Sequence, residues 1–263
     1  MNAAVDMMNL TGLIIFRDML PQNVVDHCHA AYLLRAKQID QGLASRGTDL
    51  NTQFGYNEVV RRRTARLDIR CTNAPEAGFH ASALHDEAPW LPFVRSLLGE
   101  AAKECWRGVV DNRPGSETQG WHRDGQPLFD HMHLPAHCLV IFVPLIDVDS
   151  EALGPTQFFP GSHATFRSHV YDGLPEDRCS KPSCTPLLSR GSVLCFDYRV
   201  MHRGLRNTTE TCRPVFYVIY AKPWFQITED EGAFPMDQPL HLLEKPPDAA
   251  PTCDQCQGKE TTL

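Results

Sequence analysis

"GSVLCFDYRVMHRG", Gly191 to Gly204, is a run of four apolar residues closed by an aspartate, then a polar break, then a histidine beside a glycine. An apolar run that short, bounded by glycine and aspartate, has the length of a buried strand and falls short of a helix. The same pattern recurs on either side. "RPVFYVIYAKPWF" (Arg213–Phe225) follows it, and "CWRGVVDNRPG" (Cys105–Gly115), "HCLVIFVPLIDV" (His137–Val148) and "TQFFPGSH" (Thr156–His163) precede it. Successive short strands separated by Gly, Pro and Asp predict a sandwich or barrel of the jelly-roll kind from about Trp106 onward.

The first hundred residues read differently. "TGLIIFRDMLP" (Thr11–Pro21) predicts a short buried strand stopped by Pro21, and Pro21 to Ser45 carries Val24, Val25, Ala31, Leu33 and Leu34 at helical spacing. "RGTDLNTQFGYNEVV" (Arg46–Val60) is polar and punctuated by glycine, as in a surface loop able to cover a pocket. "RTARLDIR" (Arg63–Arg70) alternates like a strand, and "PWLPFVRSLLGEAAKE" (Pro89–Glu104) predicts a second amphipathic helix. Ala164 to Arg190 is long and polar with three prolines, and reads as a loop across the barrel mouth. The fold class is therefore mainly β with flanking α-helices. One domain over 1–244, with its core at about 106–226, and a disordered tail over 245–263 are expected.

Composition narrows the function. A 42% hydrophobic fraction with 22% charged residues is that of a globular protein, and a net charge of -7 argues against a nucleic-acid binder. Arg61-Arg62-Arg63 reads as a solvated turn before a strand, with a local anion contact, such as one to an acidic substrate, as the alternative. The apolar run Leu10–Phe16 is too short for a membrane span and no basic signal-peptide region precedes it, so a cytoplasmic location is expected. Ten scattered cysteines without a signal sequence read as free thiols. Cys253 and Cys256 form one CxxC without the second ligand pair that zinc requires.

Within "QGWHRDG" (Gln119–Gly125), His122 and Asp124 stand two positions apart. Alone, such a pair is more often a turn than a metal site. A facial triad of two histidines and one carboxylate, which leaves three coordination positions of a non-heme iron open, needs one more histidine. His202 follows an apolar strand, and Arg213, eleven positions on, opens the next; the two are placed on adjacent antiparallel strands.

These pieces, "QGWHRDG", "LGPTQFFPGSH", "GSVLCFDYRVMHRG" and "RPVFYVIY" in this order, resemble the phytanoyl-CoA dioxygenase-like family of Fe(II)/2-oxoglutarate oxygenases over roughly residues 10 to 226. The resemblance implies a double-stranded β-helix (jelly-roll, cupin-like) core. It implies His122, Asp124 and His202 as iron ligands and Arg213 as partner of the distal carboxylate of 2-oxoglutarate. Thr156 and Gln119 match positions that bind the co-substrate, and Arg66 or Arg70 would be an assisting arginine. The implied activity consumes O2, converts 2-oxoglutarate to succinate and CO2, and oxidises an unactivated C–H bond of a small organic molecule. A carboxylate at 124 argues for hydroxylation over halogenation, since halogenating relatives carry a small residue there. The absence of a large basic face weighs mildly against a CoA ester. A cupin-type isomerase or binding protein, or a catalytically silent relative, remains the alternative, and the oligomeric state is open.

The other candidates take structural readings. His131, His133 and His137 in "DHMHLPAHC" read as loop and strand-entry surface, with substrate contact as the alternative, and His163 reads as a turn residue. Trp121 and Phe196 read as barrel packing, with Trp121 also able to wall the pocket. The Asn207-Thr208-Thr209 sequon has no meaning without secretion.

Overall fold

A computed structural model describes residues 2–50, 52–129, 131–164, 183–227 and 239–240. In chain order these form α1 (Asn2–Thr11), β1 (Leu13–Phe16), α2 (Gln22–Ser45), β2 (Val59–Arg63), β3 (Arg66–Arg70), α3 (Leu91–Leu98), β4 (Lys103–Asn112), β5 (Cys138–Pro144), β6 (Thr156–Phe158), β7 (Val193–Asp197), β8 (His202–Gly204) and β9 (Arg213–Ala221). The large sheet has the order β1-β7-β5-β9-β4-β3-β2, and a small one pairs β6 with β8. Every strand pairing is antiparallel. Bridges from His122 to His202 and from Cys184 to Phe158 widen the small sheet on both sides. The two sheets make the double-stranded β-helix expected from the sequence.

The period-two alternation of the strands explains how two cores form from one sheet. Ile141 of β5, Cys195 of β7 and Val218 of β9 belong to the core shared with α2, where Val25, Cys28, Tyr32, Ile39 and Leu43 supply the helical stripe. Their neighbours Val140, Leu194 and Phe196 belong to a second core, between the sheets, with Phe158 and Val200. Each fully buried side chain of this size contributes roughly 1.5–3 kcal/mol, so β7, buried along its whole length, ties both cores together. α2 starts right after Pro21, as expected, and its one inward cation, Arg35, is paired with Glu76 at 2.8 Å.

Several expectations need correction. The large sheet extends beyond the strands expected from about Trp106 onward: β1, β2 and β3 also join it, because β3 pairs along β4 and β1 along β7. Arg61-Arg62-Arg63 is not a solvated turn but the end of β2, and the tight turn is Thr64-Ala65, with Ala65 at φ 49°. The second helix is only Leu91–Leu98, since Gly99 adopts φ 92° and Lys103 already starts β4. His202 and Arg213 lie on consecutive strands but not on adjacent ones: β8 pairs with β6 in the small sheet and β9 with β4 and β5 in the large one. His163 lies in a buried 3-10 turn and bonds to the Asn9 carbonyl at 3.2 Å, which docks α1. The seven described cysteines are free thiols. No described helix is long and apolar enough to cross a membrane. The expected tail, Cys253 and Cys256, and most of the loop 164–190 lie outside the described residues.

His131 and His133 are exposed, but His137 is not strand-entry surface: it is 2% exposed. The Lys222 amide donates to the His137 carbonyl at 2.9 Å, adding a rung to the β5–β9 ladder, and the Phe225 ring folds over the imidazole at 4.5 Å. Neither ring nitrogen has a hydrogen-bond partner. Burial, reinforced by Arg199, pushes this histidine from 6.5 down to about 4. Between those values the unfolded chain takes up a proton that the folded chain refuses, so stability is lost as pH falls from about 6.5 to 4. His137→Leu is expected to match the wild-type stability at neutral pH and to exceed it near pH 5 by roughly 1–3 kcal/mol; melting temperatures that run parallel against pH for the two proteins would contradict the assignment.

Candidate metal centre

The backbone brings the first two side chains together. His122 and His202 exchange two main-chain hydrogen bonds, of 3.0 and 2.9 Å, so their side chains leave the small sheet side by side with ring centroids 4.4 Å apart. Three residues after His122 the Gly125 amide donates to the Tyr198 carbonyl at 3.1 Å, which turns the chain back and carries Asp124 to 3.6 Å from His202 Nε2. One ligand atom from each of His122, Asp124 and His202 lies within 4.8 Å of the others, the only such group of three among the described residues.

The imidazoles are oriented for ligation. His122 Nδ1 faces the Gly120 carbonyl and His202 Nδ1 faces the Val200 carbonyl, each at 2.9 Å, so each Nδ1 carries the proton. Both Nε2 lone pairs are thereby left to the centre, the usual arrangement of a metal-bound histidine. Burial, followed by the neighbouring His202, pushes His122 down to about 4 and keeps it in the neutral form that a metal requires. Phe158 and Phe196 pack against the His202 ring, at 5.8 and 5.1 Å between centroids, and fix its plane.

The triad opens into a cavity of about 530 Å³, which Gln119, Thr156 and Arg213 also line. Gln119 is held by its own backbone bond to Gly204 and accepts from the Gly204 amide through Oε1 at 2.9 Å, which leaves its amide nitrogen available. Thr156 pairs with Gly204 across the small sheet. Arg213 is 2% exposed, donates to the Gly154 carbonyl and has no partner at Nε.

Register separates the two arginines that the sequence left open. Arg66 of β3 pairs with Asn112 of β4, which pairs with Arg213 of β9, so the three stand in one row across the large sheet. Arg66 is 2% exposed, donates to the Leu205 carbonyl at 2.9 Å and also has an unpartnered Nε. Neither Arg66 nor Arg213 is ion-paired with a carboxylate among the described residues. Burial lowers Arg66 to about 10, with Arg63 adding to it, and lowers Arg213 to about 9, with Arg66 adding to it. Arg70, four residues along β3, instead pairs with Asp68 at 3.5 Å and lies over the Trp106 ring at 4.8 Å.

Sequence reasoning missed Asp68 and Tyr217. The Tyr217 hydroxyl donates to Asp68 Oδ1 at 2.8 Å, and Arg62 donates to Oδ2 at 2.9 Å, all on the cavity wall. The signal was present in "RLDIR", where Arg66, Asp68 and Arg70 occupy every second position and must share a face. Trp121 stacks on Phe159 with centroids 4.1 Å apart and lines the cavity, while Phe196 is fully buried packing.

The profile of the phytanoyl-CoA dioxygenase (PhyH) family matches residues 8–215. The chain belongs to that family. A curated relative, "Dioxygenase hkm4" of Aspergillus hancockii, is 34% identical over 110 residues, which span 40% of this chain and 33% of that protein. Among solved structures, the epimerase SnoN from nogalamycin biosynthesis, in complex with Fe3+, alpha ketoglutarate and nogalamycin RO, superposes with a TM-score of 0.60 at 16% identity, over 84% of this chain and 83% of that one. HygX from Streptomyces hygroscopicus, with nickel, 2-oxoglutarate and hygromycin B bound, gives 0.60 at 15% identity, over 87% and 90%. At these identities the likeness is one of fold.

Gly125 tests the geometry of this family member, because a β-carbon there would clash with one edge of the Tyr198 ring, at Cδ1 and Cε1. Gly125→Ala is expected to cost roughly 1–3 kcal/mol of stability through overpacking and to weaken Fe(II) binding by moving Asp124. Adding Tyr198→Leu should recover both, since neighbouring residues couple. Unchanged Fe(II) affinity in the single variant would show that the turn does not set the carboxylate.

Proposed function

We propose that the chain is an Fe(II)/2-oxoglutarate-dependent oxygenase of a small organic substrate, with His122, Asp124 and His202 as iron ligands. The observation that carries the reading is a single cavity containing both an open two-histidine, one-carboxylate set and a row of buried guanidinium groups without a counter-ion. The donor set suits iron, since two neutral imidazoles and one carboxylate leave positions open for two oxygen-containing ligands. With O2, iron and 2-oxoglutarate together supply the oxidation of an unactivated C–H bond, and 2-oxoglutarate ends as succinate and CO2.

The chain's own residues bind and orient. Arg213 takes the distal carboxylate of 2-oxoglutarate, because a guanidinium grips two carboxylate oxygens in parallel and fixes direction as well as charge. Arg66, two strands away in the same row, shares that end of the co-substrate, so the choice between Arg66 and Arg70 falls on Arg66. Thr156 and the Gln119 amide add hydrogen bonds beside them. Asp124 fills the ligand position that halogenation leaves open to chloride, which favours hydroxylation or a related oxidation. The Asp197–Arg199 ion pair, 2.7 Å and buried on both sides, positions rather than reacts: it braces the turn between β7 and β8 from which His202 emerges.

A cupin-type isomerase or binding protein could use the three ligands, but it would leave Arg66 and Arg213 as buried cations without a purpose. Anaerobic titration of the Fe(II)-loaded protein with 2-oxoglutarate separates the two. The weak visible charge-transfer band of the chelate is expected, and its loss in His202→Ala. Slow conversion of 2-oxoglutarate to succinate without substrate should accompany it, and Asp124→Ala or His122→Ala should abolish it while the fold persists. A folded, iron-loaded protein without the band would leave the cupin-type or silent reading in its place. Arg213→Ala is expected to weaken 2-oxoglutarate binding by ~2–5 kcal/mol, the cost of an unpaired charge in a desolvated site; an unchanged affinity would remove Arg213 from the role.

A further inference from the structure

The cavity is far more cationic than the chain that encloses it. Among its described lining residues stand six arginines and two aspartates, in a protein of net charge -7. Asp124 and the buried Arg66 and Arg213 belong to the iron and co-substrate end. Arg123 stands between His122 and Asp124, and the other three arginines, Arg62, Arg63 and Arg70, cluster with Asp68 on the β2–β3 hairpin.

Two features show that this wall is built toward the cavity. The β2–β3 register shifts between Arg61 and Arg63, and a bulge of this kind re-aims side chains. Regular pleating would send Arg62 and Arg63 to opposite faces, yet both line the cavity. Arg62 and Arg70 are also anchored: both converge on Asp68, which Tyr217 holds from below, and Trp106 lies under Arg70. Arg63 is exposed and makes no ion pair among the described residues. The hairpin thus presents an oriented positive edge beside apolar wall from Val60, Trp106 and Ile219.

Resting on the oxygenase reading above, we infer that the β2–β3 hairpin is the subsite for a carboxylate of the prime substrate, with Arg63 as its receptor. The substrate class is an organic acid with an apolar body, its carboxylate gripped at the hairpin while the carbon to be oxidised faces the triad. A planar two-oxygen acid matches the guanidinium fork, and the aromatic face of Trp106 suits the adjoining ring or chain.

The test begins with the ferrous protein and 2-oxoglutarate: without the charge-transfer band, the oxygenase reading fails before the subsite is in question. With the band, the nickel- and 2-oxoglutarate-loaded protein is titrated calorimetrically with trans-cinnamate and indole-3-acetate, each beside its methyl ester, and with coenzyme A. Each acid is expected to bind about tenfold more tightly than its ester, a difference of about 1.4 kcal/mol, and the preference should shrink at high salt, as exposed charges are screened. It should vanish in Arg63→Gln, which breaks no ion pair, and return in part in Arg63→Lys. Absence of acid binding, equal binding of acid and ester, a preference that survives Arg63→Gln, or coenzyme A binding ahead of the acids would overturn the assignment.

Discussion

The two main-chain hydrogen bonds between His122 and His202 join the fold to its site. His122 belongs to no regular strand, yet the bridge makes it the outer member of the small sheet and sets two imidazoles shoulder to shoulder. The third ligand needs only the two-residue step to Asp124 and the Gly125–Tyr198 bond that ends it. A site assembled from the chain's backbone in this way is preorganised: its ligand directions follow from strand geometry, and the Nδ1 contacts with Gly120 and Val200 remove the remaining rotational freedom.

The second constraint is electrostatic. Burying a cation without a partner is among the costlier things a fold can do, and this fold does it twice in one row, at Arg66 and Arg213. The carbonyls of Gly154 and Leu205 satisfy part of each guanidinium's donors, while the two Nε groups remain unmatched. Such a pair repels itself in the absence of an anion, and an incoming dicarboxylate relieves that repulsion. On the proposed reading, the distal carboxylate neutralises this row as it binds, which makes co-substrate binding and cavity electrostatics a single event.

What could be read from the sequence follows from the range of the interactions involved. The strands from Trp106 onward and α2 were legible, because each rests on a local period, and the short motifs named six residues that the fold brings to one cavity. Pairings between distant segments were not. Nothing in "RTARLDIR" says that β3 lies along β4, so the recruitment of β1 to β3 into the large sheet, and the row that joins Arg66 to Arg213, appear only with the register. His202 and Arg213 were placed on adjacent strands because they are near in sequence, whereas the chain passes from β8 in the small sheet to β9 in the large one. His137 was read as surface together with His131 and His133, a histidine cluster without a matching carboxylate, whereas one extra ladder rung and the Phe225 ring bury it.

The arginines of β2 have a competing explanation. β2 is the last strand of the large sheet, and bulges and charged side chains are common ways to keep an edge strand from pairing with another molecule. Here that task is already done. Tyr56 and Val59 exchange backbone hydrogen bonds of 2.8 and 3.2 Å, the Arg61 amide donates to the Phe54 carbonyl at 3.0 Å, and the Gln53 side chain donates to the Arg61 carbonyl at 2.5 Å. The segment Gln53–Tyr56 therefore occupies the free edge along the part of β2 that could pair. An edge that is already covered needs no charges to protect it, which leaves the arginines that line the cavity free to serve recognition of an anion.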